Sequence, residues 1–354
     1  MMKILTVLGA RPQFIKAAAF SREVQRYSNI QEIIVHTGQH YDANMSDVFF
    51  QEMGIPKPKY MLKTGGKTHG AMTGQQLEKI EEILLNEKPD LVLVYGDTNS
   101  TLAGALAAVK LHIPIAHVEA GLRSFNRQMP EEINRILTDQ ISDYLFVPSL
   151  GAKQNLINEG VDENKIFIVG DIMYDVALYY KEKMVKPYWF DELNLEKFIL
   201  CTIHRAENTD DINKLKDILK GLELSKKNII LPLHPRTVKK IKEYDLVVSN
   251  NIYIVEPVGY LEMVWLEVNS QLIVTDSGGV QKEAYFHNKY CVTLREETEW
   301  VELVSNGYNI LAGSNPILIS SSLSNEVNKE ILNKDIYGKG NTSKNILEII
   351  GETK

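Results

Sequence analysis

Three carboxylates occupy places from which they could move protons. Asp97 follows the apolar run Leu91–Tyr95 in Tyr95-Gly96-Asp97-Thr98-Asn99-Ser100, and Glu119 follows Ile113–Val118 in His117-Val118-Glu119-Ala120-Gly121-Leu122-Arg123. Glu131 stands in Pro130-Glu131-Glu132, one turn before Arg135. Each has an ordinary reading as well. Asp97 can cap the helix that follows it, and acids behind an N1 proline are common first-turn chemistry. Taken together, carboxylates from three element ends would crowd one site, and crowding perturbs proton affinity in the way acid/base catalysis requires.

A second group of residues suits an anion. Gly9-Ala10-Arg11-Pro12-Gln13 opens a tight turn after Ile4–Leu8, with Lys16 one turn on, so that Arg11 and Lys16 can meet anionic oxygens at a positive helix start. Both could equally be solvated cations. His204 closes Thr202-Ile203-His204-Arg205; it can donate to a phosphate oxygen, or simply cap or pack. Leu233-His234-Pro235-Arg236 adds basic groups at the next strand end. In Thr275-Asp276-Ser277-Gly278-Gly279, a helix start offers backbone N–H groups to a diphosphate and Ser277 adds a hydroxyl, unless the glycines only make a turn. Glu283, one turn along, can accept both hydroxyls of a ribose, and Arg295 is a further cation. No GxGxxG is present, so a dinucleotide cofactor has no support, and no HxH or HExxH pattern suggests a metal.

These residues need a scaffold of strand ends, and the pattern supplies one. Short continuous apolar runs alternate with longer helical stretches: strands at Ile4–Leu8, Glu32–Thr37, Leu91–Tyr95, Ile113–Val118 and Tyr144–Pro148, and helices at Phe14–Arg26, Gln75–Glu87, Thr101–Leu111 and Pro130–Ser142. The alternation restarts with Ile166–Val169, Phe198–Ile203, Ile229–Leu233, Ile252–Val255, Leu272–Thr275 and Tyr290–Leu294. Runs without period-2 alternation predict parallel sheets covered on both faces. The expected class is therefore α/β, with two Rossmann-like doubly wound domains. The first covers 1–170 and carries the acid/base residues; the second covers 171–341, with Lys181–Asp191 as a surface segment. A last helix, 342–354, packs back on the first domain. Ligands of such sheets bind beyond the carboxyl ends of the strands, so the expected site is a cleft between the two domains.

Composition narrows the classes further. The chain has 354 residues, 44% of them hydrophobic and 24% charged, which excludes a mainly disordered protein. A net charge of −7 argues against a nucleic-acid partner. Cys201 and Cys291 lack both a disulfide framework and metal-ligand spacing, and read as small apolar strand residues. Gly9-Ala10-Arg11-Pro12 ends the first apolar run too early for a signal peptide, and no stretch is long enough to span a membrane. We expect a soluble, cytoplasmic protein with no membrane partner.

In order along nearly the whole chain, the motifs Gly9-Ala10-Arg11-Pro12, Gly96-Asp97-Thr98, His117–Arg123, Pro130–Arg135, His204-Arg205 and Asp276–Gly279 resemble those of the non-hydrolysing UDP-N-acetylglucosamine 2-epimerases. The resemblance implies the glycosyltransferase-B architecture, a UDP-sugar substrate, no metal or other cofactor, and a homodimer. It implies elimination of UDP across C1–C2, a bound 2-acetamidoglycal, and re-addition of UDP after C2 is reprotonated on the other face. Asp97, Glu119, Glu131 and His204 then correspond to the catalytic residues, with Asp97 and Glu131 handling protons, Glu119 orienting and His204 partnering the departing phosphate. Arg11, Lys16, Arg135, Ser277, Gly278, Gly279, Glu283 and Arg295 correspond to the substrate-binding set.

Three departures from the common family pattern bear on the sugar. Gln13 replaces the usual acid, the shortened loop before Pro130 carries Arg127, and Glu296-Glu297-Thr298-Glu299-Trp300-Val301-Glu302 replaces the usual Thr-Glu-Arg-Pro-Glu run. Losing an acid and gaining a cation suits an anionic sugar. With His36–Ser46 they resemble the branch acting on UDP-2,3-diacetamido-2,3-dideoxyglucuronate in O-antigen synthesis, which converts it to the mannuronate epimer. The segment after Gln39-His40 differs from the form linked to allosteric activation by UDP-GlcNAc. The alternatives are a UDP-GlcNAc 2-epimerase giving UDP-ManNAc, a hydrolysing epimerase, a retaining glycosyltransferase of the same fold, and a UDP-sugar sensor without turnover.

Overall fold

The apolar runs become strands because helices cover both of their faces. A computed structural model describes residues 1–39, 55–324 and 335–352. The first sheet consists of β1 (Met2–Leu8), β2 (Ile30–His36), β3 (Tyr60–Met61), β4 (Leu91–Tyr95), β5 (Ile115–Val118), β6 (Tyr144–Val147) and β7 (Ile166–Ile168), in the spatial order β3-β2-β1-β4-β5-β6-β7. The second consists of β8 (Ile199–Thr202), β9 (Ile229–Pro232), β10 (Ile252–Val255), β11 (Ile273–Thr275), β12 (Cys291–Thr293) and β13 (Asn309–Leu311), in the order β10-β9-β8-β11-β12-β13. Every pairing is parallel. In both sheets the order reverses beside the first strand, between β1 and β4 and between β8 and β11. That is the doubly wound arrangement expected from the sequence, and the reversal marks where ligands bind.

The chain forms two compact units, Met1–Val176 with Ile336–Lys354, and Ala177–Asp335. In the first, α1 (Arg11–Val24), α2 (His69–Glu87), α3 (Asn99–Lys110), α4 (Pro130–Ile141), α5 (Leu150–Asn158) and the start of α6 (Ile172–Lys181) flank the sheet. Leu5, Val7, Val92 and Val94 pack against Ile80, Ile83 and Leu84 of α2 and against Ala103 and Ala107 of α3. Burying a branched aliphatic side chain contributes about 1.5–3 kcal/mol, so β1 and β4, buried almost throughout, anchor the unit.

The second unit holds α7 (Ala206–Thr209), α8 (Ile212–Leu224), α9 (Pro235–Glu243), α10 (Tyr260–Asn269), α11 (Gly278–Phe286), α12 (Val301–Ser305) and α13 (Pro316–Ser324). Leu215, Ile218, Leu219 and Leu222 of α8 meet Cys201, Leu231, Val274 and Val292 of the strands. Both cysteines are free and fully buried, as expected, and burial pushes the Cys291 thiol up to about 12. The Lys181–Asp191 segment lies largely at the surface, as expected, with Pro187 and Phe190 turned inward. Phe190 is buried against Phe198 and Trp265, with ring centroids 5.3 and 4.8 Å away, so this stretch is pinned by an aromatic anchor.

The final helix α14 (Thr342–Glu352) packs on α1, as expected. Asp175 caps it, accepting from the N–H groups of Thr342 at 2.9 Å and Ser343 at 2.8 Å. The sequence reading set bounds on no helix between α4 and α14, and two strands, β3 and β13, escape it altogether. The two strands are only two or three residues long and only partly buried, which leaves no apolar run to read.

Candidate active site

In the first unit the expected residues gather where the strand order reverses. Gln13 is central to that point and faces inward, with 3% of its surface exposed. Its Oε1 accepts from the N–H groups of Gly9 (2.7 Å) and Ala10 (3.1 Å). Its Nε2 donates to the Tyr95 carbonyl (2.7 Å) and to the hydroxyls of Thr98 (3.1 Å) and Thr101 (3.0 Å). Its amide is consumed in joining the β1–α1 turn to the β4–α3 turn.

The capping alternative for Asp97 is also settled. Thr98 caps α3, accepting from Thr101 N–H, and leaves the Asp97 carboxylate available. That carboxylate pairs with Arg135 Nη2, and Asn134 Nδ2 donates to the Asp97 carbonyl at 2.8 Å. Arg135 Nη1 reaches Glu132 at 3.1 Å. Glu132, 1% exposed, also takes the N–H groups of Ser124 and Phe125, each at 2.9 Å, and these contacts hold it below the usual carboxylate range despite burial. It is the staple of the loop that carries Arg127, and the sequence reading missed it. Glu131 is exposed in the first turn of α4, four residues before Arg135. Arg127 is exposed on the loop.

Glu119 lies just past β5, buried, with a left-handed backbone at φ 68°. A non-glycine residue in that region stores strain of order 1–3 kcal/mol, which surrounding contacts must hold in place. Its carboxylate pairs with Lys16 Nζ from α1. Burial works against the Lys16 charge, yet Glu119, Asp97 and Asp171 hold the ammonium above its ordinary range. Lys16 thus stands between two of the expected acid/base carboxylates. Gly96 has φ 63°, and its open Cα leaves room beside the pair: a Cβ there would sit 3.5 Å from Glu119 Oε2. Arg11 is exposed at the start of α1.

In the second unit, His204 follows β8 and its Nδ1 lies 3.1 Å from Asp276 Oδ1. Asp276 is fully buried after β11, and accepts from His204 N–H, Arg205 N–H and Asn208 Nδ2, each at 3.1 Å. This anion raises His204 above its ordinary value and orients its ring. Asp276 is a second residue missed as functional, although its place directly before Ser277-Gly278-Gly279 was visible. Ser277 caps α11, accepting from Val280 N–H at 3.4 Å, so its own hydroxyl proton can still be donated. Gly278 and Gly279 open the helix, and Trp300 Nε1 donates to the Gly278 carbonyl at 2.8 Å. Trp300 thereby secures the turn, with Lys282 Nζ 4.3 Å from its ring centroid. Arg295 pairs with Glu299 at 2.8 Å. Glu283 is half-buried, receives the Tyr260 hydroxyl at 3.4 Å, and is raised by burial. A cavity of about 170 Å³ lies beside Arg295, lined also by Glu207, Asn208 and Lys214. His36, Thr37, Gly38 and Gln39 are described, whereas His40–Ser46, which bear on the branch and on activation, lie outside the described residues.

These strand-end clusters match a known family. The family model for UDP-N-acetylglucosamine 2-epimerase matches residues 22–351. The UDP-2,3-diacetamido-2,3-dideoxy-D-glucuronate 2-epimerase of Pseudomonas aeruginosa strain PAO1 is 53% identical over 99% of this chain and 100% of its own. A UDP-N-acetylglucosamine 2-epimerase homologue of Methanococcus maripaludis is 54% identical over 99% of both chains. The crystal structure of the Methanocaldococcus jannaschii UDP-GlcNAc 2-epimerase in complex with UDP-GlcNAc and UDP is similar at a TM-score of 0.79 and 46% identity, covering 99% of this chain and 100% of that one. The chain belongs to the UDP-N-acetylglucosamine 2-epimerase family, and it is an epimerase. No helix among the described residues is long and apolar enough to cross a membrane.

Proposed function

We propose that this chain inverts C2 of UDP-2,3-diacetamido-2,3-dideoxyglucuronate, giving the mannuronate epimer for O-antigen or related cell-surface polysaccharide, as a cytoplasmic homodimer. The observation that carries the chemistry is the pair of carboxylates at neighbouring strand ends. Asp97 after β4 and Glu119 after β5 are each held by a cation, Arg135 and Lys16. The C2 proton is too weakly acidic for direct removal. In the proposed reaction a carboxylate takes it while the C1–O bond breaks, and UDP leaves with the bonding electron pair. A proton is then delivered to C2 from the opposite face, and a UDP oxygen re-forms the bond to C1. Asp97 and Glu131 are the proton-handling groups in this reading, with Glu119 as orienter. Arg11, His204, the Ser277–Gly279 turn and Arg295 stabilise the charge that develops on the leaving diphosphate, and Glu283 takes the ribose.

The uronate assignment rests on the similarity to the Pseudomonas enzyme and on Arg127, a cation carried by the loop that Glu132 staples. Gln13 contributes to it as a neutral group where the common pattern has an acid. NMR-monitored turnover of a panel of UDP-HexNAc and UDP-HexNAc uronates tests the reading. We expect the diacetamido-glucuronate to exceed UDP-GlcNAc by at least about tenfold, or about 1.4 kcal/mol in the transition state. A preference for UDP-GlcNAc overturns the substrate and leaves the 2-epimerase.

A further inference from the structure

A chain of charges runs from exposed Glu159 inward to buried His117, behind the strand ends of the first unit. Glu159 accepts Arg123 Nε and Nη2, both at 2.7 Å. Arg123 Nη1 lies 2.7 Å from Asp139 Oδ2, which also accepts from Gly121 N–H at 3.1 Å. Asp139 Oδ1 is 2.7 Å from His117 Nδ1, and His117 Nε2 is 2.8 Å from the Gly96 carbonyl oxygen. The side chains of His117, Arg123 and Asp139 are 0, 1 and 0% exposed, so water does not complete their bonding.

Both ring nitrogens of His117 therefore face atoms that accept. A neutral imidazole has a single N–H and would set its remaining lone pair against an oxygen. Asp139 Oδ2 is already engaged by the Arg123 guanidinium and the Gly121 N–H, which leaves Oδ1 to accept from the ring. With a proton on each nitrogen, every contact has a donor. Along the chain Glu159, Arg123, Asp139 and His117 then alternate in sign, so that each cation lies against a carboxylate, with Glu159 at the solvent end.

We propose that His117 is a positioning residue, held as an imidazolium, that grips the Gly96 carbonyl and so fixes the turn carrying Asp97. The proposal rests on the reading of Asp97 as a proton-handling group. Gly96 is the pivot: its N–H is tied to the Val118 carbonyl at 3.0 Å, and its carbonyl is tied to His117. The groups around the ring are Asp139 from α4, Arg123 from the loop after β5, and the Gly96 peptide from the end of β4. Glu119 with Lys16 lies two residues further along the chain.

The test uses the full chain labelled with ¹⁵N at histidine. Ring correlation spectra from about pH 6 to 8.5, two units above the ordinary imidazole value, should show one ring with both nitrogens protonated throughout. That signal should be absent from His117→Gln. If no ring among the eight histidines keeps both protons at the alkaline end, the proposal is overturned, whether or not any variant folds. In a folded His117→Gln, and likewise in Asp139→Asn, kcat for C2 exchange should fall by up to about a hundredfold with UDP affinity within twofold. Wild-type kcat in the folded variants overturns the positioning role. C2 exchange surviving in Asp97→Asn overturns that role through its premise, and the spectrum alone then decides the protonation of His117.

Discussion

Gln13 donates its amide N–H to the main-chain carbonyl of Tyr95 at 2.7 Å, joining the turn after β1 to the end of β4. A carboxylate at position 13 would keep the two contacts from Gly9 and Ala10 but set an acceptor against the Tyr95 carbonyl. We expect Gln13→Glu to lower stability by about 1–3 kcal/mol, the cost of an unmade buried hydrogen bond. Urea unfolding measures it. Turnover of the uronate should fall more than that of UDP-GlcNAc, since a neutral group at position 13 suits the anionic sugar; parallel losses would remove Gln13 from substrate choice.

Removing the proton-handling groups should separate chemistry from binding. Asp97→Asn and Glu131→Gln are each expected to slow C2 proton–deuterium exchange by about 10²–10⁴-fold while UDP affinity stays near wild type. Exchange within a few-fold of wild type in either variant removes that residue from the mechanism.

His204 gives UDP binding a definite pH dependence. Asp276 raises its value above the ordinary one of about 6.5, so the cationic ring persists toward alkaline pH. The stabilisation that the cation lends to the pair, and to a bound diphosphate, is fully present below that ordinary value and is lost as pH rises through the raised one. Calorimetry above about pH 7, where the phosphate is already fully charged, should show affinity falling with pH in the wild type and flat in His204→Gln. Parallel curves would separate His204 from the diphosphate.

Glu132 works in the opposite direction. Its carboxyl is depressed, so its contribution is present above the unfolded value of about 4.3 and is lost as pH falls through the lower folded one. Glu132→Gln should cost about 1.5–3 kcal/mol at neutral pH and approach wild type in acid. Thermal melts between these limits check the sign, and a constant difference across them refutes it.

Arg127→Ala should lower turnover of the uronate more than that of UDP-GlcNAc, because an exposed cation loses its partner only when the sugar is an anion. Equal losses on both substrates would place Arg127 outside sugar recognition.

Much of this was legible in the residues. β4 and β1 read as strands because both faces are covered, leaving an unbroken apolar run, and the site follows from the ends of those strands. What escaped depends on rotation about a helix or on long-range pairing. Glu131 and Glu132 are adjacent in sequence, yet one is exposed and the other is 1% exposed beneath a loop; only the roll of α4 decides between them. Asp139 and Asp276 look like ordinary acids until their partners arrive from other elements, Arg123 and His117 for one and His204 and Asn208 for the other. Gln13 shows the same limit. Three of its five contacts reach residues 82 to 88 positions away, and no local pattern announces those.

The closing helix has a consequence for biosynthesis. Asp175 is translated 167 residues before Thr342, whose N–H it caps. On a ribosome the whole of Ala177–Asp335 emerges first, a continuous stretch with its own sheet and core, before the older unit receives its last piece. The later-made unit can therefore mature ahead of the earlier one, against the usual N-to-C order. Until α14 arrives, the nascent chain leaves part of α1 uncovered and the Asp175 carboxylate without the N–H groups of Thr342 and Ser343, which makes that interval the stage at which a chaperone has most to shield.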